Sequence, residues 1–444
     1  MTQTDWRQQN PDVKSLMVGA CDLNGILRGK RVSADKYEQL IGGGIRMPRS
    51  AVGIDVWGVD VFDNMQVFDT GDGDAVCVAV DRSPLIYRWR GGVQALVQVE
   101  LHEDNGSGFG GDPRVVLGQV LARYAALGLT PVVATELEFY LTQLDEDAKT
   151  SPLHEGQHLR PERMLDLREL DDFSAVIDDI YAACEENDIP ADSAISESGL
   201  GQLEINLLHS PDALKAADDA IAFKQIVKGV AQAHGLRATF MAKPFGDQAG
   251  SGLHTHFSIL DRDGNNIFDN GTDQGSAELL HAVAGLLNTM ADFSAVFAPN
   301  ANSYRRLRPR THAPTKISWG YENRTAAIRI PGGSSVARRI EHRVAGADAN
   351  PYLVLAAVLG GALHGIEQKL SPSEPIVGNA YEQAAEQIES NWEQATERLA
   401  ASSIAEEILG TTMIEMFSAC KRQEIDTFGQ QVSRFEHLTL RDSI

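Results

Sequence analysis

The sequence predicts an α+β fold with more than one domain, on three observations. Strand-like and helix-like stretches follow one another without the regular alternation of βαβ units. Five of the strand-like stretches carry polar residues at every second position, and the helical stretches between them open on capping residues. The chain, at 444 residues, also exceeds what one core organises at about 150 residues per domain.

Composition narrows the class. Hydrophobic residues make up 43% and charged residues 23%, the balance of a soluble globular protein. No stretch reaches the roughly 18 apolar residues of a membrane span, and MTQTDWRQQNPD lacks the basic start and apolar core of a secretory signal, so the cytoplasm is the expected compartment. A formal charge of -23, from 39 basic and 62 acidic residues, argues against nucleic acid and anionic membranes as partners. Cys21, Cys77, Cys184 and Cys420 are far apart without a CxxC, which fits reduced thiols rather than zinc or a disulfide framework.

Taken in order, residues 14–106 form a first, β-rich unit with strands in SLMVGACDL, VCVAV and QALVQVEL and turns at DLNG and DGD. The run HEDNGSGFGGDP then reads as a flexible linker. Its Gly106, Gly108 and Gly111 match a dinucleotide-binding spacing, but Asp112 and Pro113 start the next helix beyond the last glycine, where that glycine cannot pack into it. The larger unit, 112–444, begins with a helix over 112–127 and continues with the strand VVATELEFYL and a polar insertion at 144–163. Further helices are predicted over 173–187 and over 212–233, the latter capped by Ser210 and Pro211. Asn350 and Pro351 cap a buried helix that includes residues 352–363, and the tail from Ser371 reads as helical and polar.

The chemistry sits on the alternating strands. In VVATELEFYL, Glu136 and Glu138 point opposite to Thr135, Leu137 and Phe139, and two adjacent carboxylates on an apolar strand demand a positive counter-charge. Gln202, Glu204 and Asn206 repeat the pattern, as do His254 and His256, then Arg329, then Arg339, Glu341 and Arg343. Paired in one sheet, these strands line a site for divalent cations and phosphate. Glu136, Glu138, Glu197, Glu204, Glu341 and His254 are hard oxygen donors with one imidazole and no thiolate, a set that suits magnesium or manganese. Arg306, Arg324, Arg329, Arg339 and Arg343 fall within 40 residues and suit bidentate binding of carboxylate and phosphate, although one or two could simply neutralise the glutamates. No Walker or protein-kinase motif is present, so any nucleotide is held by another scaffold.

These residues resemble the glutamine synthetase superfamily. ELE, ESGLGQLEIN, KPFGDQAGSGLHTHFS, NSYRRL, NRTAAIRIP and RRIEHRVAGADANPY are similar to that family's motifs in order, and DLNGILRGKR and SWGYENRTAAIRIP resemble most its γ-glutamylpolyamine synthetase branch, the glutamate-putrescine ligases. The resemblance implies a small N-terminal β-grasp domain, a catalytic domain with a curved antiparallel sheet and flanking helices, and a dodecamer of two hexameric rings with active sites shared between neighbours. It implies ATP and two or three Mg2+ or Mn2+ ions per site. Glu138, Glu197 and Glu204 would hold one metal, and Glu136, His254 and Glu341 the other. Arg306 and Arg343 would take the α-carboxylate of glutamate and Gly250 its amino group; Arg324 and Arg329 would stabilise the transferring phosphoryl group; His256, Ser258 and Arg339 would face ATP.

Two departures bear on the acceptor. In ammonium-using members the flap after NSYKRL carries a glutamate that helps take a proton from ammonium; the sequence here is RRLRPRTHAP, with His312 at that place. The aspartate those members supply from a neighbour's DGSS motif is missing from the corresponding stretch, IRMPRSAVGID. Compact negative charge is what binds a small cation, so the implied activity is ATP-dependent ligation of the glutamate γ-carboxyl to a primary amine, a polyamine such as putrescine, through a γ-glutamyl phosphate. The alternatives are glutamine synthesis from ammonium, ligation of monoalkyl or aromatic amines, and a non-catalytic homologue, the last disfavoured because no metal glutamate or phosphate arginine is lost.

Overall fold

Two sheets organise the computed structural model, which describes residues 6–64, 66, 70–89, 91–143, 164–308 and 312–444. The first comes from β1 (Ser15–Cys21), β2 (Leu27–Ser33), β3 (Arg46–Pro48), β4 (Asp74–Ala79), β5 (Leu85–Tyr87) and β6 (Gln94–His102), in the order β2-β1-β6-β4-β3 with β5 also on β6. Only β1 and β6 run parallel in it. The second is curved, with eight strands: β7 (Thr130–Gln143), β8 (Ala191–Ser196), β9 (Gln202–Ser210), β10 (Leu236–Thr239), β11 (Leu253–Leu260), β12 (Trp319–Tyr321), β13 (Ile328–Ile330) and β14 (Ile340–His342). Its order is β12-β13-β14-β11-β7-β9-β8, with β10 beside the end of β7. All five alternating stretches pair in this one sheet, with Arg339 just ahead of β14 and Arg343 just after it, and the α+β class holds.

Its two faces differ as the alternation requires. Leu137 and Phe139 of β7 are fully buried, and the Phe139 ring lies 6.3 Å from Phe223 and 5.4 Å from Phe240. Phe223 belongs to the helix packed behind, α3 (Ala213–Ala233), which follows α1 (Pro113–Ala126) and α2 (Ser174–Glu186). Further along, α4 (Ala277–Thr289) and α5 (Pro351–Gln368) approach closely: a Cβ on Gly365 would lie 2.1 Å from the His281 carbonyl oxygen, so only glycine fits there. Asp112 and Asn350 cap α1 and α5, each accepting backbone N–H groups of the first turn.

The structure corrects several local expectations. The glycine-rich run is an ordered turn: Glu103 N–H donates to Ser107 O (2.8 Å), Phe109 is buried with its N–H on Leu101 O (2.8 Å), and Asp112 is buried, accepting from Leu101 and Arg114 N–H. Buried polar backbone needs such partners, and a run that supplies them internally stays in place. The cap of α3 is Asp212, which accepts from Lys215 N–H, rather than Ser210 or Pro211. The insertion at 144–163 lies outside the described residues. After a short 3-10 turn at Ala380–Glu382, α-helices resume in the tail at α6 (Trp392–Ala401) and include α7 (Thr411–Gly429), whose Met413, Met416 and Phe417 are buried, so this part is amphipathic. All four cysteines are buried free thiols.

Helix α7 is tied to the N-terminal segment by a charge pair sealed from solvent. Lys421 Nζ donates to Glu424 Oε2 (2.8 Å), and Glu424 Oε1 accepts from Asn24 Nδ2 (2.9 Å) and from the N–H of Val56 (2.8 Å). Breaking such a pair strands the remaining charge. Lys421→Met should therefore destabilise the protein by about 3 kcal/mol, read as a lowered thermal midpoint, and Lys421→Met with Glu424→Leu should recover most of the loss.

Candidate active site

Sheet register brings the charged residues into rows. His254 pairs with Glu136, and Glu136 with Asn206; Glu138 faces Glu204; His256 faces Glu341, and Glu341 faces Arg329. Their side chains join accordingly. Glu136 bonds His254 Nδ1 (3.1 Å) through Oε2 and His256 Nε2 (2.9 Å) through Oε1. Arg339 Nε donates to His256 Nδ1 (3.2 Å), which leaves Nε2 as the nitrogen carrying the proton given to Glu136. Glu341, 1% exposed, accepts from Arg329 Nη1 (2.8 Å) on one oxygen and from Arg343 Nη1 on the other.

This balance sets the acidities. Burial works to raise the Glu341 carboxyl, but Arg343 and the two imidazoles outweigh it and hold the group down at about 2. Burial is likewise overridden at Glu136, where the His254 and His256 bonds keep the carboxyl below its usual range. Glu197 and Glu204 move the opposite way: burial and the repulsion of neighbouring glutamates raise both. That half of the face carries more carboxylate than this chain neutralises.

Two groups of side chains could hold a cation among the described residues: Glu136, His254 and Glu341, and Glu138, Glu204 and His254. The first is the set expected from sequence. In the second, His254 stands where Glu197 was expected; Glu197 follows β8 at the Glu197–Gln202 turn, near enough to Glu138 and Glu136 for repulsion but outside the tight group. Hard donors in excess of positive charge fit magnesium or manganese.

Beside this cluster lies a buried cationic pocket. Arg306 ends a short helix (Ser303–Arg306) whose start is held by Asp348, acceptor to Ser303 Oγ (2.6 Å) and Asn300 Nδ2 (2.9 Å). Its guanidinium donates to Val344 O (2.7 Å), and a Cβ on Gly250 would fall 2.8 Å from its Cγ, so the glycine lets backbone and arginine meet. Ala249 contributes its carbonyl, bound by Tyr140 OH (2.8 Å). The Nε donors of Arg329 and Arg343 are buried without an acceptor among the described residues, as they would be where a carboxylate or phosphate is to bind. Tyr381, to which the sequence drew no attention, sits within the field of Arg306 and Arg343 and donates through its hydroxyl to Ala313 O (3.0 Å), the residue after His312. Its only sequence signal is an aromatic residue in a polar stretch.

Other expected residues are brought in only partly. Ser258 is half-buried on the face that carries His254 and His256. His256 and Arg339 are engaged with each other. Arg324 is exposed on the turn before β13. His312 is exposed with φ 61, a left-handed conformation rare for residues with a Cβ; residues 309–311 before it lie outside the described residues. Arg329 donates a second bond, through Nη2, to Glu322 (3.3 Å), a turn residue that sequence patterning does not single out.

Comparison with known proteins identifies the family. Residues 110–439 match the family model for the glutamine synthetase catalytic domain. The chain belongs to the glutamine synthetase family. It is 35% identical to the γ-glutamylputrescine synthetase PuuA of Escherichia coli K12, over 97% of this chain and 92% of that protein. It is 32% identical to the glutamate-isopropylamine ligase of a Pseudomonas species, over 96% and 94%. Ligand-free GmaS superposes with a TM-score of 0.86 at 29% identity, over 100% of this chain and 99% of that one, and the GmaS/ADP complex with 0.85 at 28%, over 99% and 100%. Like its family, the protein is an ATP-dependent carbon-nitrogen ligase that forms γ-glutamyl amides.

For this glutamine synthetase family member, Glu204→Gln separates charge crowding from cation binding. The variant removes one of several mutually repelling carboxylates, so the metal-free protein should melt no lower than wild type, while Mn2+, which should raise the melting temperature of wild type, should raise that of the variant little. Thermal melts with and without Mn2+ check both halves.

Proposed function

We propose that the protein joins glutamate to a polyamine such as putrescine, in preference to ammonium, in the cytoplasm, as a dodecamer of two hexameric rings. The observation that carries this is the loss of negative charge where ammonium-using relatives need it. His312 stands at the flap position of their glutamate. In the stretch that should supply a neighbour's aspartate, the one acid is Asp55, 2% exposed, and it is used up locally: its Oδ1 accepts the N–H groups of Trp57 (3.0 Å) and Val59 (2.8 Å). Without compact negative charge, affinity has to come from contacts along a longer acceptor. The similarity to a γ-glutamylputrescine synthetase over nearly the whole chain supports the same acceptor class.

The residues then divide the work. Arg306 and Arg343, with Gly250 beside them, seat the carboxylate and amino group of glutamate. Arg329, with Arg324 moving in from its turn, receives the transferring phosphoryl oxygens, and His256, Ser258 and Arg339 face the nucleotide. Glu136, His254 and Glu341, and Glu138, Glu204 and Glu197, would hold two of the two or three Mg2+ or Mn2+ ions, which when bound neutralise charge on phosphate. Phosphorylation turns the γ-carboxylate into an acyl phosphate with a good leaving group. The amine attacks once its lone pair is free, and a neutral His312 accepts the proton.

ADP release from purified protein with glutamate and ATP, scanned over ammonium, alkylamines, anilines and polyamines, tests the acceptor. Putrescine should exceed ammonium in kcat/KM by about a hundredfold; a higher value for ammonium would overturn the proposal.

His312→Glu should restore part of the lost charge and raise the ammonium-to-putrescine ratio of kcat/KM about tenfold. An unchanged ratio would mean that His312 does not select the acceptor.

A further inference from the structure

We infer that Glu322 positions Arg329 for the phosphoryl group, an inference that rests on the role proposed for Arg329 above. Arg329 is 11% exposed at the centre of β13, and its guanidinium lies between two carboxylates: Nη1 donates to Glu341 Oε2 (2.8 Å) and Nη2 to Glu322 Oε1 (3.3 Å). Its Nε has no acceptor among the described residues.

The two carboxylates are unlike. Glu341 is already shared with Arg343 and belongs to a group that could hold a cation, and a cation bound there would take up its charge and repel the guanidinium next to it. Glu322 is 60% exposed and belongs to neither group, so its charge is not diverted. It is the anchor that remains when the site fills. Held through Nη2, Arg329 has less freedom to lose on meeting a phosphoryl oxygen.

Local structure holds Glu322 to this place. Gly320 pairs with Arg329 across the parallel strands β12 and β13, and Glu322 N–H donates to Ile330 O (3.0 Å), so the carboxylate starts alongside the arginine it binds. The residue has φ 51, in the left-handed region that favours glycine or asparagine. Its Oε1 also accepts the N–H of Gly332, where an added Cβ would come 3.0 Å from the Glu322 carboxyl carbon. A glycine thus lets the loop after β13 close onto the carboxylate. The exposure of Glu322 means that the ion pair adds little to stability, so a functional effect of its removal reports on placement.

The test is calorimetric binding of a non-hydrolysable ATP analogue and of ADP, each with Mg2+, to wild type, Glu322→Ala, Glu322→Gln, Arg329→Ala and the Glu322→Ala/Arg329→Ala double variant, alongside thermal melts and steady-state kinetics. Glu322→Ala should weaken the triphosphate analogue about tenfold and ADP less than about twofold, and lower kcat about tenfold with the glutamate KM unchanged. Glu322→Gln, which keeps the acceptor oxygen without the charge, should fall between. Melting temperatures should stay within about 2 °C of wild type. In the Arg329→Ala background, Glu322→Ala should have no further effect. Wild-type triphosphate binding by Glu322→Ala, or an effect that adds in full to that of Arg329→Ala, overturns the inference while leaving Arg329 as a phosphoryl ligand. Arg329→Ala that leaves the triphosphate-to-ADP ratio unchanged overturns the role of Arg329 and the inference with it.

Discussion

Charge compensation across the curved sheet is the constraint on which the rest of the molecule depends. Glutamates looking inward from neighbouring strands repel one another, and desolvation adds to the cost. The chain answers with imidazoles and guanidinia placed by strand register: His254 and His256 on Glu136, Arg329 and Arg343 on Glu341. A slip of one residue in any of these strands would turn its charges into the apolar layer behind, so register here is set from both faces at once. Phe139 on Phe223 holds one side of β7, and Glu136 between two histidines holds the other.

The compensation is uneven, and the unevenness carries the chemistry. Where Glu136 and Glu341 sit, imidazole and guanidinium partners suffice and the carboxyls are held below their usual range. Where Glu197 and Glu204 sit, the chain leaves a deficit, and both carboxyls are pushed up. The Nε donors of Arg329 and Arg343, whose outer nitrogens bind Glu341, lack acceptors among the described residues. The face thus holds both carboxylates in excess of positive charge and guanidinium donors without acceptors, two kinds of group that a metal-phosphate complex matches.

Much of this was legible because strand alternation writes a polar face directly into the sequence. Glu136 and Glu138, His254 and His256, and Glu341 with its arginines could be assigned to one lining before any pairing was known. The grouping of His254 with Glu136 and Glu341 came from the family resemblance, whereas the strand register that seats His254 opposite Glu136, and the approach of the same ring to Glu138 and Glu204, are written in no local pattern. Turn residues were harder still. Glu322 and Tyr381 obey no period, and their partners, Arg329 and Ala313, lie 7 and 68 residues away, fixed only by the tertiary fold. The glycine-rich run departs from the flexible linker its composition suggests for a related reason: its order comes from Asp112 reaching back to Leu101.

His254 has one more consequence. Its Nδ1 is at Glu136 and its Nε2 lies 4.0 Å from Glu138, so a single ring belongs to both groups of cation donors. A neutral imidazole has one lone pair, its other nitrogen carrying hydrogen. Two ions arriving together would compete for it, and the loser would rest on carboxylates alone. An ion held at Nδ1 would leave the hydrogen on Nε2, and one held at Nε2 would leave it on Nδ1.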